Sequence, residues 1–77
     1  MLITIKYFGS LAEVADCEEE SIDFLGSHIS ELLDELYIKY SGLKNKDFLV
    51  AQDQELVPLE TKISSKEIVL LPPFSGG

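Results

Sequence analysis

The chain has no arginine and no tryptophan, and it carries a single cysteine and a single histidine. Each shortage removes a class of function. Six lysines face fourteen carboxylates, a net charge of -8. Such a surface repels phosphate backbones and anionic lipid, so neither nucleic acid nor a membrane is expected as a partner, and basic protein surfaces are. Cys17 has no second cysteine for an internal disulfide, which agrees with a reducing, cytoplasmic location. Its neighbours Asp16, Glu18, Glu19 and Glu20 disfavour a thiolate, so a reactive role is not expected there. His28 stands alone, without a second histidine or a cysteine at ligand spacing, and neither a metal nor a bound cofactor is expected. No apolar run approaches the length of a membrane span, and Met1–Leu2–Ile3–Thr4 lacks the basic start of a signal peptide. Nucleophile–base pairs and phosphate-cradling loops are likewise missing.

What is present is enough apolar material, 45% of 77 residues, for one small packed domain. Leu2–Phe8 reads as a strand with Ile3, Ile5 and Tyr7 on the core face and Thr4, Lys6 and Phe8 on the other. Gly9–Ser10 breaks it, and Leu11–Ala15 supports one or two helical turns. The acidic run Glu18–Glu20, read as solvated, leads into a second strand over Glu20–Phe24. Ser27 or His28 then opens a helix: serine is the better cap by chemistry, whereas a cap at His28 places Glu31 at the capping-box position. Ile29, Leu32, Leu33, Leu36 and Tyr40 recur at helical spacing, and Glu31, Asp34, Glu35 and Lys39 cover the opposite side. Ser41–Gly42 is a stop. Phe48–Gln52, a short strand near Leu56–Val57, and Glu67–Leu71 complete the order, with Asp53–Gln54 and Ser64–Ser65–Lys66 as turns. Pro58 confines the short strand to an edge or an end.

The order β–β–α–β–β–β, with one main amphipathic helix, points to an α+β fold. A mixed sheet with the helix packed on one face is the two-layer solution, and that arrangement is the ubiquitin-like β-grasp. Residues 1–71 form the expected domain and residues 72–77 a flexible tail. Pro72–Pro73 cannot continue a ladder, and Gly76–Gly77 permit close approach to another surface. A tail of this kind can thread a narrow channel through Ser75 and Gly76 and deliver the Gly77 carboxylate to a remote active site. A carboxylate can be adenylated by ATP and then converted to a thiocarboxylate, whose anionic sulfur is a good nucleophile.

The end Pro72–Pro73–Phe74–Ser75–Gly76–Gly77 resembles the terminus of the molybdopterin synthase small subunit, the MoaD family, and Tyr7–Phe8–Gly9–Ser10–Leu11–Ala12–Glu13 is similar to that family's N-terminal segment. Ala12 stands where the family usually has arginine, Gln52 where asparagine is common, and the Ser64–Glu67 turn is a residue shorter than usual. The resemblance implies a sulfur carrier rather than an enzyme. An activating enzyme would consume ATP to adenylate Gly77, a sulfur donor would form the thiocarboxylate, and the large synthase subunit, in a heterotetramer, would pass the sulfur to cyclic pyranopterin monophosphate. Carriers of another pathway, such as thiamine synthesis, and ubiquitin-like protein modifiers share the tail chemistry and are the alternatives.

The last strand carries a further expectation. Ile68 and Leu70 share one face and Val69 and Leu71 the other, yet one helix cannot cover both faces of a sheet. Phe8, Leu56, Leu71 and Phe74 are therefore expected to form an exposed apolar patch around the tail exit and to bind the partner.

Overall fold

The computed structural model describes residues 1–73. Five strands and two helices follow in order: β1 (Leu2–Tyr7), α1 (Ser10–Ala15), β2 (Glu19–Asp23), α2 (Ile29–Lys39), β3 (Leu49–Gln52), β4 (Glu55–Leu56) and β5 (Glu67–Leu71). The sheet runs β2-β1-β5-β3-β4. Its central pair, β1 and β5, is parallel, with Ile5 opposite Ile68 and Tyr7 opposite Leu70; all other pairs are antiparallel. The architecture is the mixed-sheet β-grasp that the order of elements implies.

The core lies between α2 and one sheet face. Ile3, Ile5, Ile68 and Leu70 from the sheet meet Ile29, Leu32 and Leu36 from the helix, all essentially without solvent contact. Alternation places Ile68 and Leu70 in this layer and turns Val69 and Leu71 to the opposite face. The helix opens at His28, not Ser27. The Glu31 carboxylate reaches back to accept the backbone N–H groups of Ser27 at 3.0 Å and His28 at 2.9 Å, which outweighs the weaker capping chemistry of histidine. Those bonds hold the Glu31 pKa down at about 2.

Several boundaries differ from those expected. β1 ends at Tyr7 and β2 spans Glu19–Asp23, so Phe8 and Phe24 lie just beyond their strands. β4 is Glu55–Leu56, closed onto β3 by the two-residue turn Asp53–Gln54, whose φ angles of 54° and 66° suit the twist of a tight hairpin. α2 ends at Lys39, and from Ser41 the chain tightens into a 3₁₀ turn over Ser41–Asn45, which buries Leu43 completely.

Within the acidic run Glu18 and Glu19 are exposed, in line with its reading as solvated, but Glu20 is partly buried. Glu20 faces α2, where its Oε2 accepts the hydroxyls of Tyr7 at 2.7 Å and Tyr40 at 2.6 Å, and its Oε1 accepts Lys39. Burial alone would raise its pKa; the bonds from Lys39, Tyr40 and Tyr7 outweigh burial and hold it below the ordinary value. Burial, followed by these bonds to a carboxylate, pushes both tyrosines well above theirs. The cluster fastens β2 to the end of α2.

Candidate docking surface and tail exit

The face of the sheet turned away from α2 is polar at one side and apolar at the other. Near β1 it carries Thr4 and Lys6, the latter paired with Glu67 at 3.4 Å. Toward β3 and β4 the character changes because the register aligns apolar residues across three strands. Leu49 sits opposite Leu71, and Ala51 sits opposite both Val69 and Leu56. Phe8, immediately past β1, completes the rim. Phe8 is 50% exposed, Leu56 60% and Leu49 40%, with Leu71 half-buried between them. Together with Pro72 and Pro73 they line an open groove of about 490 Å³.

The chain leaves the sheet at this groove, and its exit is fixed by close packing. The Phe8 N–H donates to the Leu70 carbonyl at 3.1 Å, one residue before β5 ends. Gly9 has φ 59°, and a Cβ there would come within 2.9 Å of Pro72 Cγ. Only glycine allows both the left-handed backbone and the contact with the proline. Phe8 and Leu71 therefore flank the point of departure, and Leu56 borders the same groove from the hairpin.

Phe74, Ser75, Gly76 and Gly77 lie outside the described residues. Leu49 belongs to the groove but carried no signal in isolation: Phe48–Gln52 is apolar at four consecutive positions, and only the pairing with β5 settles which of them face outward.

Gln52 takes a supporting role that its position alone did not convey. Its side chain is buried; Oε1 accepts the backbone N–H groups of Ser64 at 2.9 Å and Ser65 at 3.3 Å, and Nε2 donates to the Lys62 carbonyl at 3.2 Å. This satisfies polar groups that burial would otherwise penalise and fixes the turn leading into β5. His28 bonds within the α2 cap, and Cys17 is half-buried. Among the described residues no three His, Cys, Asp or Glu side chains gather closely enough to hold a metal ion, and no helix is long and apolar enough to cross a membrane.

Comparison with known proteins places this geometry in a family. The model of the ThiS family matches residues 5–77. No curated protein matches in sequence. Among solved structures, the putative molybdopterin converting factor subunit 1 of Pyrococcus furiosus superimposes with a TM-score of 0.87 at 19% identity, over 96% of this chain and 99% of that one. The small archaeal modifier protein 1 of Methanosarcina acetivorans gives 0.79 at 26% identity, over 99% and 96%. The complex of subunits 1 and 2 of the molybdopterin-converting factor from Helicobacter pylori contains a chain with a TM-score of 0.69 at 26% identity, covering the whole of both. With the match to its model running over nearly the whole sequence, the chain belongs to the ThiS family and has the ubiquitin-like fold of the sulfur carriers.

Proposed function

We propose that this protein is the sulfur-carrying small subunit of a molybdopterin synthase. The observation that carries this reading is the tail exit: a chain ending Ser75–Gly76–Gly77 leaves the sheet from a packed anchor beside an exposed apolar groove. The groove supplies docking surface, and the anchor sets where the tail points. Residues 1–71 dock while residues 72–77 deliver the reacting group. The full-length likeness to the Helicobacter pylori chain, part of a complex of subunits 1 and 2, supports a large-subunit partner.

In the proposed cycle an activating enzyme joins the Gly77 carboxylate to the α-phosphate of ATP, and pyrophosphate leaves. Hydrosulfide released by a sulfur donor attacks the acyl carbon, AMP departs, and a thiocarboxylate remains. The tail then enters the large subunit, with Gly76 and Ser75 in its channel, while Phe8, Leu56, Leu71 and Phe74 seat against that subunit. The thiocarboxylate sulfur displaces an oxygen substituent of cyclic pyranopterin monophosphate, water cleaves the acyl–sulfur bond, and the Gly77 carboxylate is regenerated. The groups that catalyse transfer belong to the partners, the assembly is a heterotetramer in the cytoplasm, and this chain holds no cofactor. Incubation with activating enzyme, ATP and a sulfur source should raise the intact mass by the difference between sulfur and oxygen. The loaded chain with the large subunit should then convert cyclic pyranopterin monophosphate to molybdopterin. A loaded chain that supports no such conversion removes the pathway assignment.

A second reading has one observation in its favour, the 26% identity to a small archaeal modifier protein over nearly the full length of both chains. The same acyl-adenylate can acylate a lysine. Conjugates of higher mass on a denaturing gel, dependent on ATP and on Gly77, would favour the modifier.

A further inference from the structure

The two edges of the sheet are not alike. β4, at one edge, has two residues and is closed off by Pro58. β2, at the other, has five residues and, among the described residues, no strand beyond it. Its register fixes which peptide groups are free. Tyr7 donates to the Glu18 carbonyl at 2.9 Å and Phe24 to the Met1 carbonyl at 2.8 Å. Residues bonded to β1 alternate, so Glu20 and Ile22 turn their peptide groups inward, while Glu19, Ser21 and Asp23 turn theirs away from the sheet. The side chains of these same three residues are exposed on the face opposite α2. Ser21 bonds Thr4 at 3.2 Å, and one Asp23 oxygen takes the Met1 amine at 3.1 Å. Glu19 has no ion pair among the described residues, because Lys6 is drawn to Glu67 and Lys39 to Glu20.

We infer that β2 is a docking edge for an extended segment of another polypeptide that carries Lys or Arg four residues apart, added as a sixth strand. Unpaired peptide groups on a long edge give the affinity for an extended chain, and side chains at alternate positions select its sequence. An antiparallel strand places one cation opposite Glu19 and the other opposite Asp23, with a small polar residue opposite Ser21. Charge decides against a second copy of this chain, since two β2 edges would oppose carboxylate with carboxylate. The edge lies across β1 from the apolar groove, so a strand here leaves the tail exit free. This surface is independent of the carrier reading.

The test uses the full chain labelled with ¹⁵N and a capped peptide, Thr-Lys-Val-Thr-Val-Lys-Thr. Saturable shifts and slowed amide exchange are expected at Glu19, Ser21 and Asp23. The Glu19→Lys/Asp23→Lys double variant, checked for folding by circular dichroism, should bind at least about tenfold more weakly from loss and reversal of two cross-strand charge pairs. A peptide with glutamate in place of lysine, and one with alternate backbone nitrogens methylated, should both fail. Equal binding by the methylated peptide would reduce the effect to charge attraction and overturn the proposal. Shifts centred on Phe8 and Leu71, absence of binding, or dimerisation of the chain through the Glu19, Ser21 and Asp23 amides would overturn it too.

Discussion

The two faces of the sheet are built from the same strands and differ in what they do. Under α2, Ile5, Ile68 and Leu70 have no solvent contact. On the opposite face Phe8, Leu49 and Leu56 keep 40% or more of their surface in water, although they are as apolar. The covered face stabilises the domain; the open one holds hydrophobic free energy that is released only when something covers it. The sharpest way to separate fold from function is a change at Gly77, the residue proposed to carry the sulfur. Deleting Gly77 should abolish sulfur transfer while leaving thermal unfolding unchanged, because the reacting carboxylate retreats by one residue and misplacement is costly in catalysis. Wild-type product formation by the truncated chain would defeat the carrier reading.

Neighbouring residues of β5 give the next test, since Leu70 and Leu71 point to opposite faces. Leu70→Ala should destabilise the isolated domain by about 2–5 kcal/mol in denaturant unfolding, the usual result of a cavity in a closed core. Leu71→Ala and Phe8→Ala should cost the domain less and weaken docking to the large subunit by about 1–3 kcal/mol in calorimetry, as anchors at an interface do. If Leu71→Ala unfolded the domain as readily as Leu70→Ala, the faces would be equivalent and the docking role lost.

A third change probes the fastening that holds β2 to α2. Glu20→Ala strands the hydroxyls of Tyr7 and Tyr40, and unfolding should report a loss of about 1–3 kcal/mol. Restoring the balance with Tyr40→Phe in the same chain should recover part of it. Additive losses would show that the three groups do not act together.

The smallest effect is set by acid. The folded-state pKa of Glu31 is depressed to about 2 from 4.5. Its contribution is therefore complete above about pH 4.5 and disappears as the pH falls toward 2. Over that interval the melting temperature of the wild type should fall further than that of Glu31→Gln. Parallel curves would mean that the cap does not persist in solution.

These residues also show how far a sequence can be read. In β5, apolar throughout, alternation only separates Ile68 and Leu70 from Val69 and Leu71, but β1 alternates with Thr4 and Lys6, so Ile3 and Ile5 were assignable to the core and Phe8 to the other face. Leu49 was not, because a run of apolar residues has no visible parity until its partner strand is known. Glu20 looked like one carboxylate among several; the tyrosines that bind it come from β1 and the end of α2, and no local pattern links them. Gln52 was noticeable only as an unusual residue, since the carbonyl and N–H groups it satisfies lie ten to thirteen positions away. Which strands are parallel, and which lie at the edges, is likewise a property of the assembled sheet.

The position of β5 has a mechanical consequence. The tail continues from a strand held on one side by β1 and on the other by β3. A pull on the tail runs along β5, while its ladder bonds lie across the direction of force. Two ladders then share the load in shear, whereas a strand at the margin would have only one. A partner can draw the tail inward, and hold it under tension, without unravelling the body to which it is tied.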